Sequence, residues 1–149
     1  MFRQPQVLCS FGTLAVALTA LPAVANPVAG VRVTNAATGF DLVYAVSAST
    51  LGGYVASDNA PLATVPKQTG DTFSIASTSA KALAGELIYR AAGEPTRECT
   101  FRYSLAFTGG RFVLTADARA SWTGQAACTV TTTGPDKTKG DFGVTFTMK

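Results

Sequence analysis

Apolar and polar residues alternate most regularly between Glu98 and Trp122. From Cys99 to Phe107 every odd position is apolar, namely Cys99, Phe101, Tyr103, Leu105 and Phe107. The even positions Glu98, Thr100, Arg102 and Ser104 are polar. A period of two is the mark of a strand with one buried face. After Thr108-Gly109-Gly110-Arg111 the apolar row resumes on even positions, from Phe112 and Leu114 through Ala116, Ala118 and Ala120 to Trp122. A two-residue Gly-Gly loop suits a tight hairpin, because both central positions of such a turn favour positive φ. With Gly109 and Gly110 as the loop, Phe107 faces Phe112, Leu105 faces Leu114, Tyr103 faces Ala116 and Cys99 faces Ala120. All the apolar residues then share one face, and a one-residue slip would expose them. The same register sets Arg102 opposite Asp117 on the polar face, an exposed pair contributing at most about 1 kcal/mol.

The rest of the chain reads as short strands between breakers. Val28 to Thr34, Asp41 to Ser47, Thr72 to Ser77, Glu86 to Ala91, Cys128 to Thr133 and Asp141 to Lys149 all carry the pattern. In Asp41 to Ser47 the inward row is Leu42, Tyr44 and Val46; in the last strand it is Phe142, Val144, Phe146 and Met148. A single helical turn is predicted at Ala80 to Ala84. From Ser49 to Pro66 the alternation fails amid Gly52-Gly53, Asp58-Asn59 and Pro61. About eight strands rich in Val, Thr and aromatics predict an all-β fold, an antiparallel sandwich or barrel, of which we take the sandwich.

The first 25 residues have a different character. Arg3, an apolar stretch from Phe11 to Leu21 and Ala23-Val24-Ala25 make the three parts of a secretory signal peptide. Its removal leaves 149 − 25 = 124 residues, positions 26–149, the length of a single domain. No later stretch is long and apolar enough to be a transmembrane helix. Two cysteines remain, Cys99 and Cys128, and an even count in an exported chain favours a disulfide. Closing that loop stabilises by roughly 3 kcal/mol. On the strand directly after the hairpin, Cys128 would lie two strand spacings from Cys99, about 9.5 Å and beyond disulfide reach. The strand holding Cys128 must therefore pair beside Cys99 or cross to the facing sheet.

The chain has no histidine. That excludes Ser-His-Asp and Cys-His nucleophiles and histidine-ligated metals. Two cysteines alone make a poor metal site, no calcium-loop spacing surrounds Asp58-Asn59 or Asp136, and no glycine-rich phosphate loop precedes a helix. No cofactor, metal or catalytic set is expected. The nine acids lie mostly at turns and strand ends and read as turn caps and solubilising charges. Without Arg3 there are eleven basic and nine acidic residues, a net charge of +2 spread along the chain. This gives no nucleic-acid or membrane-charge footprint, and Lys137 and Lys139 read as a solvated loop.

Recognition by a surface remains. Tyr44 and Trp122 lie on apolar rows and are assigned to the core, whereas Tyr54 lies among breakers. The eighteen residues from Ser49 to Pro66 carry Leu51, Tyr54, Val55 and Leu62, the candidate binding residues. The runs Val31-Arg32-Val33-Thr34-Asn35, Gly39-Phe40-Asp41-Leu42, Gly85-Glu86-Leu87-Ile88-Tyr89 and Gly143-Val144-Thr145-Phe146-Thr147 resemble the scaffold of aegerolysin-like proteins. The resemblance implies a small secreted β-sandwich that binds membrane lipids, in some members together with a partner in pore formation. The expected function is a secreted, non-enzymatic binding module for lipid or glycan. The alternative is a periplasmic or extracellular protein-interaction domain of inhibitor or immunity type.

Overall fold

Alternation along the chain builds two facing sheets. The computed structural model describes residues 25–56, 59–121 and 126–149; all but the last residue of the expected signal peptide, together with Asp58 and Trp122, fall outside them. The strands are β1 (Val28–Asn35), β2 (Leu42–Tyr44), β3 (Thr64–Val65), β4 (Gly70–Ala76), β5 (Ala82–Ala91), β6 (Glu94–Thr108), β7 (Arg111–Ala120), β8 (Cys128–Thr133) and β9 (Phe142–Met148). One sheet has the order β4-β1-β9-β8 and the other β3-β2-β5-β6-β7. All pairings are antiparallel except β1 with β9, which run parallel. The fold is thus the all-β sandwich expected, with a ninth, two-residue strand inside the segment read as irregular.

The β6–β7 hairpin has the register its sequence dictates. Thr108 pairs with Arg111, Phe107 with Phe112, Arg102 with Asp117 and Cys99 with Ala120. Gly109 and Gly110 take φ of 60° and 79°, as the turn requires. The inward row of β6 is buried from Cys99 to Leu105. The row of β7 is only half-buried from Phe112 to Ala118, because β7 is the edge of its sheet. Although Arg102 sits opposite Asp117, its guanidinium turns to Glu86 on β5, and Asp117 takes Arg119 instead. β6 lies between two carboxylate-bearing strands, so the sequence register alone could not choose the partner.

The cysteines resolve the strand order. β8 crosses to the facing sheet, and Cys99–Cys128 joins the two sheets with Cα atoms 5.8 Å apart. Beside it, Phe101 of β6 stacks on Phe146 of β9 with centroids 4.7 Å apart. Tyr89 lies 6.4 Å from Phe101, and Tyr44 lies 5.1 Å from Tyr89. Tyr44 is therefore core, as its row predicts. Buried Asn35 fastens the neighbouring end of the sandwich: its side-chain amide donates to the carbonyls of Phe40 and Val65, and its carbonyl accepts from Ala37 N–H.

Two local expectations fail for tertiary reasons. Ala82 to Ala84 is strand, where a helical turn was predicted, because the long β6 offers partners as far as Ala106 and Leu83 fills the core. The strand predicted to run to Ser47 stops at Tyr44 and gives way to a 3-10 turn at Val46–Ala48. Val46 is 67% exposed as a result. Ser49 covers the break: its hydroxyl donates to Ala45 carbonyl and accepts from Ile88 N–H, which would otherwise lose its ladder bond.

Tyr89 offers a test of the core. It is fully buried, and its hydroxyl has no hydrogen-bond partner among the described residues. Tyr89→Phe keeps the ring contacts and removes a polar group whose burial costs about 1–3 kcal/mol. The variant should equal or exceed the wild type in urea unfolding. A clear loss of stability would mean that the hydroxyl is bonded in solution.

Candidate functional site

The described residues between Ser49 and Pro66 form a strap between the sheets. Thr50 pairs with Glu86 of β5 through bonds of 2.7 and 2.6 Å. Four residues on, Tyr54 pairs with Ala76 at the end of β4 through bonds of 2.8 and 2.9 Å. Leu62 N–H then donates to the buried Asp71 carboxylate at 2.8 Å, and β3 returns the chain to the other sheet. The strap closes the flank of the sandwich and covers edge groups of β4.

The four candidate residues part company on this strap. Leu51 and Val55 pack against the core and are half-buried. Tyr54 and Leu62 face solvent, at 68% and 49% exposure. They lie near opposite ends of β4, since one pairs with Ala76 and the other bonds Asp71; five strand residues span roughly 16 Å. No apolar cluster of all four forms, and Tyr54 is the most exposed of them.

A hydroxyl under the strap holds it in place. Tyr103 is buried on β6 beside Gly85, and its ring passes over the missing side chain to donate to Leu51 carbonyl. Burial raises the Tyr103 hydroxyl above its ordinary pKa, with the neighbouring Tyr44 adding to the effect, so it stays a donor across the physiological range. A Cβ at Gly85 would collide with that hydroxyl and lie 2.7 Å from Leu51 carbonyl oxygen. Gly52, at φ +71°, has Ala84 carbonyl where its Cβ would be. Both glycines are needed for close approach of strap to sheet.

Next to the strap, the outer face of β5–β6–β7 holds a groove of about 510 Å³. Its floor is a rung of small residues, Ala84, Ser104 and Thr115, and Thr50 of the strap forms one wall. The next rung is Glu86, Arg102 and Asp117, with Arg119 beside it. Two ion pairs, Arg102–Glu86 and Arg119–Asp117 at 2.6 Å, cancel these four charges. The groove is neutral in charge and lined largely by the apolar parts of small residues, with hydroxyls and paired charges at its edge, which suits an uncharged or zwitterionic group better than a net ion. The sequence missed it because its residues read as the ordinary solvent row of a hairpin. The available signal was the run of small residues on neighbouring strands.

The carboxylates are otherwise engaged. Among the eight described acids, Glu86, Glu94, Glu98 and Asp117 pair with arginines. Asp41, Asp71, Asp136 and Asp141 accept backbone N–H groups. Glu86, Glu98 and Asp117 lie within strands, the exceptions to an expectation that placed most of the acids at turns and strand ends. No group of three or more metal-ligating side chains occurs among the described residues. No helix among them is long and apolar enough to cross a membrane.

No protein-family model and no curated protein matches the chain. Among solved structures, the fold resembles that of the lipid binding protein Nakanori, with a TM-score of 0.57 at 13% identity. The likeness covers 83% of this chain and 71% of that one. At such identity it is a likeness of fold.

The anchoring of the strap can be tested at two positions. Tyr103→Phe should cost roughly 1 kcal/mol through the lost hydrogen bond. Gly85→Ala should cost more and speed proteolytic cleavage within residues 49–56, since the added methyl displaces Leu51. Unchanged cleavage in both variants would show that the strap is held by other contacts.

Proposed function

We propose that this protein is a secreted, non-enzymatic binding module that recognises membrane lipid, in the manner the aegerolysin-like resemblance implies. The observation that carries the reading is the fold shared with a lipid-binding protein over most of the chain. Agreement between that likeness and the strand-and-turn runs of the sequence supports it further. A disulfide is at home in an oxidising compartment, in keeping with export after cleavage near Ala25 and with residues 26–149 as one domain. Contact is made through the strap, where Tyr54 presents an amphipathic ring suited to a bilayer interface. Leu62 adds a second apolar contact, while Leu51 and Val55 set the strap from beneath.

The neutral groove favours a second reading. Its hydroxyls and paired charges fit a glycan or a polar protein surface, the latter being the inhibitor or immunity-type alternative.

Sedimentation with phosphatidylcholine vesicles, alone and mixed with other lipids, alongside a glycan array, separates the two. Tyr54→Ala should leave the melting temperature almost unchanged, as exposed substitutions do within about 0.5 kcal/mol, and should weaken vesicle retention. Filling the groove with Ser104→Trp should leave retention intact. The opposite pattern, or glycan capture without vesicle binding, would move the site to the groove.

A further inference from the structure

Positive charge is even along the sequence and uneven in space. Among the described residues, Arg90, Arg97, Arg102 and Arg119 are all taken up by ion pairs. On the outer face of β5–β6–β7, three arginines (90, 102 and 119) meet three acids (86, 98 and 117), and the sum is zero. At the hairpin-tip end lie Lys81, Arg111, Lys137 and Lys139, none of them ion-paired among the described residues. Asp136 and Asp141 offset them in part, leaving 4 − 2 = +2.

Backbone and ring contacts bring these four cations to one end. Phe107 N–H donates to Lys81 carbonyl at 2.8 Å, and Lys81 Nζ lies 5.8 Å from the centre of the Phe107 ring. Arg111 directly follows the Gly109-Gly110 turn, opposite Thr108. The loop with Lys137 and Lys139 is seated on the same hairpin, for a Cβ at Gly140 would lie 2.8 Å from the Phe112 ring. That loop is ordered from within by Asp136, whose carboxylate accepts N–H from Thr138 at 2.9 Å and Lys139 at 2.7 Å. The cations are thus held in place by backbone contacts that leave their side chains exposed.

Exposed apolar residues gather at this end too. Phe107 and Val113 flank the turn, with Phe107 set edge-on against half-buried Phe112 at 5.0 Å. Val28 begins β1 opposite Ala76, the residue that also pairs with Tyr54. Four of the seven exposed large hydrophobic residues among those described, Val28, Tyr54, Phe107 and Val113, therefore stand with these four cations, while Arg32, Lys67 and Lys149, which also lack ion pairs among the described residues, lie elsewhere. Apolar side chains ringed by lysine and arginine are the composition of an interfacial anchor for anionic bilayers.

We infer that the hairpin-tip end docks on anionic lipid bilayers, with Lys81, Arg111, Lys137 and Lys139 facing the headgroups and Phe107 and Tyr54 entering the interface. This rests on the lipid-binding reading and sharpens it to a charge class and an orientation, in which Tyr54 remains a contact and Leu62, at the far end of β4, does not. The groove then stands clear of the membrane on the flank of an end-on molecule.

The test uses the disulfide-bonded protein with two vesicle compositions, phosphatidylcholine alone and phosphatidylcholine with phosphatidylglycerol. Expected are preference for the anionic vesicles and retention that falls as salt is added. Neutralising Lys137 and Lys139 together with Gln should weaken anionic binding roughly 25-fold, about fivefold per charge. Arg119→Gln, on the paired face, should change it little, and circular dichroism should show all variants folded. Equal binding to both compositions, or an undiminished double variant, overturns the inference and leaves lipid binding standing. An equal loss in Arg119→Gln overturns it in favour of diffuse charge, and equally tight binding to a soluble oligonucleotide overturns it in favour of a nucleic-acid surface. Binding to neither vesicle overturns both the inference and the lipid reading.

Discussion

The structure depends on how its two sheets are held face to face. Phe101 stacks on Phe146 next to the Cys99–Cys128 bond, and each member of these two contacts comes from a different sheet. A sandwich has no ladder bonds between its layers, so side-chain packing must set their spacing and stagger. The aromatic row from Tyr44 through Tyr89 to Phe101 and Phe146 carries that contact from near one flank to the middle of both sheets. Once the inner rows are fixed, strand alternation leaves no freedom outside. The charged rung of the groove falls where it does because Tyr103 and Phe101 face inward on either side of Arg102.

The strap meets a second requirement, closing the flank between β5 of one sheet and β4 of the other. A stretch rich in glycine and small residues does this better than a regular strand, since it must leave one sheet, turn and join the other. Gly52 and Gly85 permit backbone-to-sheet approach, and Tyr103 supplies the bond that replaces a ladder rung. Two faces result from one segment. Leu51 and Val55 serve the core, which frees Tyr54 to serve a surface.

Legibility in the sequence followed locality. The hairpin register could be read residue by residue, because a two-residue glycine turn and a strict period of two leave one solution. The disulfide could be read in part: strand spacing showed that β8 must leave the meander, and the facing sheet proved to be its place. What stayed hidden were choices made between distant segments. Arg102 prefers Glu86 to Asp117 though all three share a rung, and Ala82 to Ala84 are strand because β6 reaches them. Surface properties were hidden for the same reason. Lys81, Arg111 and the pair at 137 and 139 are far apart in number and meet only when β4–β5, the hairpin and the β8–β9 loop end on one side. Tyr54 was legible as a surface residue, whereas its separation from Leu62 by the run of β4 was not.

The parallel pairing of β1 with β9 has a consequence for the order of events in folding. The hairpin of β6 and β7, with β5 alongside, joins near neighbours in sequence and needs only short loops to close. The other sheet joins its first and last strands at its centre, with Val31 opposite Val144. Closing so long a loop is entropically slow, and it cannot begin before β9 is present. The meander of β5 to β7 is thus the early template and the four-stranded sheet the late layer. Until β9 arrives, Phe101 has no partner for its open face, and the half-built layer presents a bare aromatic surface. That interval is when self-association competes with the native sandwich.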